Sequence, residues 1–296
     1  MGGSRFHLTK WYLDAVADDG TAVLCYWLRM QWHCLVLHGA SVVEVPADSE
    51  KPVQQRSRWM RSAGPAPELR GQQVVWDSPA AGVHGVWQGS SVCNTAAPGV
   101  QHALLQDGTL DWHCYVPGGR AHALAEGGSQ GLPNPAALCS RQAWGYAECL
   151  HMTLLPWRLP VQELRWGRAV NASGSVVWID WRGPRPQSLV WVNGVLMRGG
   201  RVDDAHVNEG ARTAVVQWQG GQVQLTVRRV IRSGALGQAA LHQSPAAAFT
   251  RVRGKAARRF LDTHEQKWLC DARMPDGSHA FAVHEVVHFA TGAPQT

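Results

Sequence analysis

Lysine is scarce in this sequence, accounting for only 4 of 28 cationic residues, the other 24 being Arg. The formal charge of +6 therefore rests on arginines, which are scattered along the chain. One cluster stands out, Arg251, Arg253, Lys255, Arg258 and Arg259, but no aromatic interleaves it and no zinc-finger spacing accompanies it. A nucleic-acid surface needs a concentrated basic face with stacking rings, so nucleic acid is not an expected partner. Paired cysteines are missing as well. The seven, at 25, 34, 93, 114, 139, 149 and 270, are odd in number and none has CxxC spacing, which argues against a disulfide framework and a Cys-based zinc site. Long apolar runs are absent, because Ala22 to Leu37 is interrupted by Arg29, Gln31 and His33, and no membrane-spanning segment is expected. Met1 to Lys10 lacks the charged-then-apolar order of a signal peptide. The expectation is a soluble cytoplasmic protein in a reducing compartment; peripheral membrane contact and oligomeric state stay open.

Phenylalanine and tyrosine are few, at 5 and 4, whereas tryptophan numbers 15. So many indoles need large interior walls or an apolar cavity. A sustained 3.6-residue period is also lacking, and residues 255–262 are the best of a few short helical candidates. What is present is period two, punctuated by turn dipeptides. Asp18-Asp19-Gly20, Asp107-Gly108, Asn193-Gly194, Gly220-Gly221 and Asp276-Gly277 each lie between β-branched and aromatic runs, which predicts five hairpins. Strands in this number hide their edges by closure or stacking. Pro156 and Pro160 interrupt the pattern midway. The expected architecture is all-β: two lipocalin-like antiparallel barrels or strongly curved sheets, packed together, over 1–155 and 156–296. Residues 45–71 and 126–139 read as long loops.

His284-Glu285-Val286-Val287-His288 spells H-E-x-x-H. A zincin needs both histidines on one helical face, but the surrounding residues alternate as a strand does, and no His, Asp or Glu follows His288. No metal and no cofactor is expected. The segment Trp144 to Met152 carries more chemistry. On a strand, Tyr146, Glu148, Leu150 and Met152 share a face. If that face lines an apolar chamber, burial keeps Glu148 neutral and able to give up a proton, with Tyr146 in hydrogen-bonding reach. The competing reading is an exposed or salt-bridged Glu148. Farther on, alternation puts Trp166 with Arg168 on one face, and Trp178 with Asp180 and Arg182 on one face of the next strand. Rings beside fixed charges suit a developing cation. The alternative is a Trp-lined core closed by an Asp180–Arg168 or Asp180–Arg182 pair.

These residues carry a resemblance. Trp11-Tyr12-Leu13-Asp14-Ala15, Leu110-Asp111-Trp112-His113-Cys114-Tyr115-Val116-Pro117, Gly145-Tyr146-Ala147-Glu148, Leu164-Arg165-Trp166-Gly167-Arg168-Ala169, Lys267-Trp268-Leu269 and Val283-His284-Glu285 together cover about a third of the chain. They resemble the carotenoid 1,2-hydratase (hydroxyneurosporene synthase) family, related to AttH-like proteins and lipocalin-like Diels–Alderases. The resemblance implies two lipocalin-like barrels with a hydrophobic site between or inside them, and an acid after a Gly-Tyr pair that protonates an isoprenoid double bond. Tyr146 and Glu148 occupy those positions. The family pattern has Asp with a nearby Asn where this chain has Glu148 and Leu150, and a His before the paired aromatics where it has Leu110.

The resulting expectation is a cofactor-independent enzyme, a hydratase-type lyase or an isomerase or cyclase. It would act on a hydrophobic polyene or terpenoid by acid-initiated hydration, cyclisation or isomerisation. Glu148, Tyr146 and Asp180 are the candidate catalytic groups. Trp112, His113, Trp144, Trp166, Arg168 and Trp178 are the candidate substrate-binding groups. A pericyclic cyclase and a non-catalytic carrier of hydrophobic small molecules remain as alternatives for the same residues.

Overall fold

The computed structural model describes residues 6–60, 64–79, 81–89, 99–105, 108–125, 143–208, 211–235 and 262–289. The chain divides into two compact units, Met1–Leu155 and Pro156–Thr296. The first is one antiparallel sheet of ten strands: β1 (Phe6–Ala17), β2 (Ala22–Trp32), β3 (Leu35–Val45), β4 (Gln54–Met60), β5 (Glu68–Arg70), β6 (Gln73–Ser78), β7 (Val83–Gly89), β8 (Gly99–Leu105), β9 (Gly108–Ala125) and β10 (Ala143–Met152). The second has nine: β11 (Glu163–Asn171), β12 (Gly174–Arg182), β13 (Gln187–Val192), β14 (Val195–Met197), β15 (Arg201–Asn208), β16 (Ala211–Trp218), β17 (Gly221–Ala235), β18 (His264–Arg273) and β19 (His279–His288). A single 3-10 turn, Pro156–Arg158, is the only helical element among the described residues. Residues 255–261 of the helical candidate, and the loop reading at 126–139, lie outside them. The stretch 45–71 is less of a loop than its polar composition predicts. Its centre pairs as β4 with β3, and Ser57 Oγ donates to Ser41 Oγ at 2.8 Å.

Both units follow one plan. Most successive strands pair antiparallel, and the first strand also pairs with the last, β1 with β10 and β11 with β19. Each sheet thus curls into a half-barrel, open between β4 and β5 in one and between β14 and β15 in the other. The five predicted hairpins are present. Asn193 and Gly194, at φ 51° and 81°, have the two positive φ values that a two-residue turn needs to match strand twist.

Alternation sorts each strand into two faces. In the first unit Trp11, Leu13, Cys25, Trp27, Trp76, Trp87, Ala147 and Cys149 point to the concave core. A buried indole removes about 200 Å² from water, a gross gain on the order of 5 kcal/mol. The buried N–H groups need acceptors: Trp87 Nε1 donates to Asp14 O at 2.7 Å, and Trp76 Nε1 to Pro65 O at 2.9 Å. In the second unit the core holds Trp178, Trp218, Trp268, Leu225 and Val286. Arg165 and Arg182 donate to Val202 O at 3.2 and 2.7 Å, fastening β15 across the mouth of the curl.

Candidate functional site

Glu148 lies on β10, between Tyr12 of β1 and Cys114 of β9 in register. Its neighbours along the strand, Ala147 and Cys149, face the core, so its carboxyl group is on the opposite face. That face is itself covered: Tyr146 and Asp14 are wholly buried and Tyr12 nearly so. Glu148 is partly buried. Tyr146 Oη donates to Glu148 Oε2 at 2.6 Å, and Trp112 Nε1 donates to the same oxygen at 2.5 Å. Tyr12 adds a ring 6.1 Å from that of Tyr146 and donates to Asp14 Oδ2 at 2.8 Å. Tyr26, 5.2 Å from Tyr12, carries the Lys10 ammonium 5.7 Å from its centroid. A row of rings therefore crosses β9, β10, β1 and β2 beside one carboxyl.

Burial first, then Cys114 and Glu148, push the Tyr146 phenol well above its ordinary value of 10.0. It stays protonated, and an indole N–H only donates. Both groups donate to Oε2, the indole as a group that can do nothing else. The carboxylate form of Glu148 thus has two hydrogen bonds in place on one oxygen.

The other predicted residues separate from this group. His113 points to the core face, its ring 6.1 Å from Tyr115, on the far side of the strand from Trp112 and Glu148. Trp144 is partly exposed beneath the Arg120 guanidinium, 3.8 Å from its ring centre. Trp166, Arg168, Trp178 and Asp180 belong to the second unit, where Trp166 and Arg168 lie on one face of the sheet and Trp178 and Asp180 on the other. Register puts Trp178 opposite Gly167 and Asp180 opposite Arg165. Trp178 is core, donating to His284 Nδ1 at 3.4 Å. Asp180 accepts from Arg182 Nε at 2.7 Å, so the Asp180–Arg182 closure is the one formed. Arg168 is fully buried, with Nη1 donating to Phe281 O at 3.3 Å.

H-E-x-x-H is a strand, β19. His284 is stacked on Trp268 at 5.7 Å, while Glu285 points the other way to Lys267. Four residues of strand put His284 and His288 about 13 Å apart along the chain, too far to share one ion. Among the described residues no cluster of three metal-ligating side chains occurs.

Sequence reasoning missed a buried charge cluster on the outer face of the second unit. Lys267, 2% exposed, lies 2.7 Å from Glu285 and 3.5 Å from Glu265, with its Nζ 5.9 Å from the Trp166 ring. Arg232 Nη1 approaches Glu265 from the other side at 3.3 Å. The available signal was Glu265 and Lys267 two apart in a strand that otherwise alternates apolar residues. An open polar cleft of this unit, lined by Asp271, Arg273, Ser278 and His279 among others, contains none of the predicted site residues.

Comparison with known proteins bears on this geometry through the fold. No family profile matches the chain, and no curated protein matches it by sequence. Solved structures do match. CghA, crystallised with Sch210972, is similar over 98% of this chain and 90% of its own, with 12% identity and a TM-score of 0.61. The fold is shared with CghA. It is similar also to NE1406 of Nitrosomonas europaea, an AttH candidate, at 10% identity, 97% and 93% coverage and a TM-score of 0.53. Kievitone hydratase of Nectria haematococca follows at 7% identity, 96% and 89% coverage and 0.50. The specific carotenoid-hydratase resemblance finds no counterpart among these structures. No described helix is long and apolar enough to cross a membrane.

Proposed function

We propose that the protein is a cofactor-independent enzyme that protonates a carbon–carbon double bond of a hydrophobic polyene or terpenoid, with Glu148 as the acid. The observation that carries this reading is the pair of donors, Tyr146 Oη and Trp112 Nε1, on one oxygen of one carboxyl. The O–H bond at Oε1 breaks as a C–H bond forms on the alkene, leaving a tertiary cation and a carboxylate whose Oε2 is already hydrogen-bonded. Preorganised donors of this kind lower the cost of the developing charge without reorganisation. The rings of Trp112, Tyr146 and Tyr12 offer π-faces to the cation. Water adds to the cation, and the proton released from the resulting oxonium returns to Glu148, completing hydration. Attack by a second double bond gives cyclisation instead, and loss of a neighbouring proton gives isomerisation.

Support for a small hydrophobic substrate comes from the shared fold, since CghA holds the ligand Sch210972 and another protein of this fold is named a hydratase. The test is Glu148→Gln, which keeps an acceptor for Tyr146 and Trp112 but removes the proton. Incubation with a panel of acyclic isoprenoid polyenes, followed by mass spectrometry, reads hydration as a gain of one water and cyclisation as a retention change at constant mass. Turnover by the variant is expected to fall about 10²- to 10⁴-fold, the range for a lost general acid. Equal turnover by both proteins would remove Glu148 from the mechanism. Equal binding without turnover in either would leave a carrier.

A further inference from the structure

The second unit carries a polar cleft of about 330 Å³ that the proposed chemistry does not use. It lies where β17, β18 and β19 run side by side, with Gly277 and Ser278 of the β18–β19 turn on its border. Cys270 and Ala272 face the core, so Asp271 and Arg273 belong to the outer face. Register puts Gln224, Arg273 and His279 in one cross-strand row, and Thr226, Asp271 and Phe281 in the next. Members of a row stand about 5 Å apart, so the two rows make a block of five polar side chains and one ring. Only part of its hydrogen-bonding capacity is used. Arg228 Nη1 donates to Asp271 Oδ1 at 3.4 Å, and His279 Nε2 lies 3.1 Å from the same oxygen. Asp271 Oδ2 has no partner among the described residues, and neither have the side chains of Arg273, Gln224 and Thr226.

These open groups select a ligand by its charge. An anion on the Arg273 guanidinium would meet the open oxygen of Asp271, two residues along the same face, and a cation on that oxygen would meet the guanidinium. A hydroxyl group suits both, because it donates and accepts at once. Its O–H goes to the carboxylate and its lone pairs to the guanidinium, and hydrogen bonds to charged groups are the stronger kind. Gln224 and Thr226 also donate and accept, so adjacent hydroxyls of one molecule find partners across the block. The His279 ring, edge-on to Phe281 at 5.0 Å and tied to Asp271, adds a flat wall. We propose that this cleft binds a neutral, hydroxyl-rich ring, a pyranose sugar, as a free saccharide or as the glycosyl group of an apolar molecule. Asp271 and Arg273 supply the charged hydrogen bonds. The volume is at the lower end of the range for small-molecule sites, which suits one ring. None of the groups assigned to alkene protonation lines the cleft.

The test is an NMR titration of the full, ¹⁵N-labelled chain with D-glucose, D-galactose and D-mannose, read at the backbone amides of Thr226, Asp271, Ser278 and His279. Cyclohexanol, a ring with one hydroxyl, and inorganic phosphate serve as controls. At least one hexose is expected to shift these amides saturably at millimolar concentrations, while neither control does. Arg273→Met and Asp271→Asn change side chains at the surface, so the fold is kept. Each is expected to weaken the hexose about tenfold, the scale of one hydrogen bond to a charged group. Methyl and hexyl glycosides of the best hexose then separate the two sources. Tighter binding of the hexyl compound assigns the cleft to a glycosylated apolar molecule, and equal binding assigns it to a free saccharide; both support the proposal. Absence of saturable shifts with all three hexoses would overturn it. So would unchanged hexose affinity in either variant, or saturation of the same amides by phosphate more tightly than by any hexose, since the cleft would then be an anion site.

Discussion

Replacing Lys267 by Met tests the buried charge cluster of the second unit. Lys267 is 2% exposed and lies within 2.7 Å of Glu285 and 3.5 Å of Glu265, whose side chains are 16% and 4% exposed. Methionine keeps the apolar stem and its volume but leaves two carboxylates in a covered face, with Arg232 near one of them. Breaking a buried pair from one side costs about 3–5 kcal/mol, because the remaining charge has lost both water and partner. For a unit of this size that is a fall of roughly 10–15 °C in melting temperature. Differential scanning calorimetry at neutral pH measures it directly. The cost is in the stranded carboxylates rather than in the missing ammonium, so Lys267→Met combined with Glu265→Gln and Glu285→Gln should recover most of the loss. A fall below about 3 °C for the single variant would refute the reasoning. So would a triple variant less stable than the single one, since lost packing would then be the cause.

Two further outcomes follow from specific contacts. A Cβ at Gly167 would overlap Trp178 Cζ2 and come within 2.5 Å of Val283 O, so Gly167→Ala should destabilise by about 1–3 kcal/mol or more. Trp178→Phe should restore part of that in thermal unfolding, and a silent Gly167→Ala would contradict the packing described. The Ser278 hydroxyl first, then its N–H, hold the Asp276 carboxyl below 3.8. A depressed carboxyl adds stability above its unfolded value and loses it as pH falls through its folded value. Its NMR titration midpoint should therefore lie below 3.8 and rise toward it in Ser278→Ala; an unmoved midpoint would assign the shift elsewhere.

The alternation at 144–152 was enough to pair Tyr146 with Glu148, because residues two apart on a strand share a face whatever the sheet does. It was equally enough to deny H-E-x-x-H a helix. It could not identify the second donor. Trp112 is 36 residues from Glu148, and meets it through the β9–β10 ladder, whose register shifts between Gly145 and Glu148. Nor could it separate Trp166 from Trp178. Each strand's alternation is legible alone, but which faces coincide across two strands depends on which residues sit opposite, and here Gly167, not Trp166, lies across from Trp178.

The residues in order thus determined an antiparallel chain of hairpins, through turn dipeptides and period-two runs that act over a few residues. Tertiary structure alone decided that β1 closes on β10 and β11 on β19, since those partners are more than a hundred residues apart and local preference carries no information at that range. That closure brings Tyr12 beside Glu148 and Trp166 beside Glu285, whereas Lys267 meets Glu285 within the β18–β19 hairpin. Burial, and with it the chemistry of each polar group, depends on what the far parts of the chain cover.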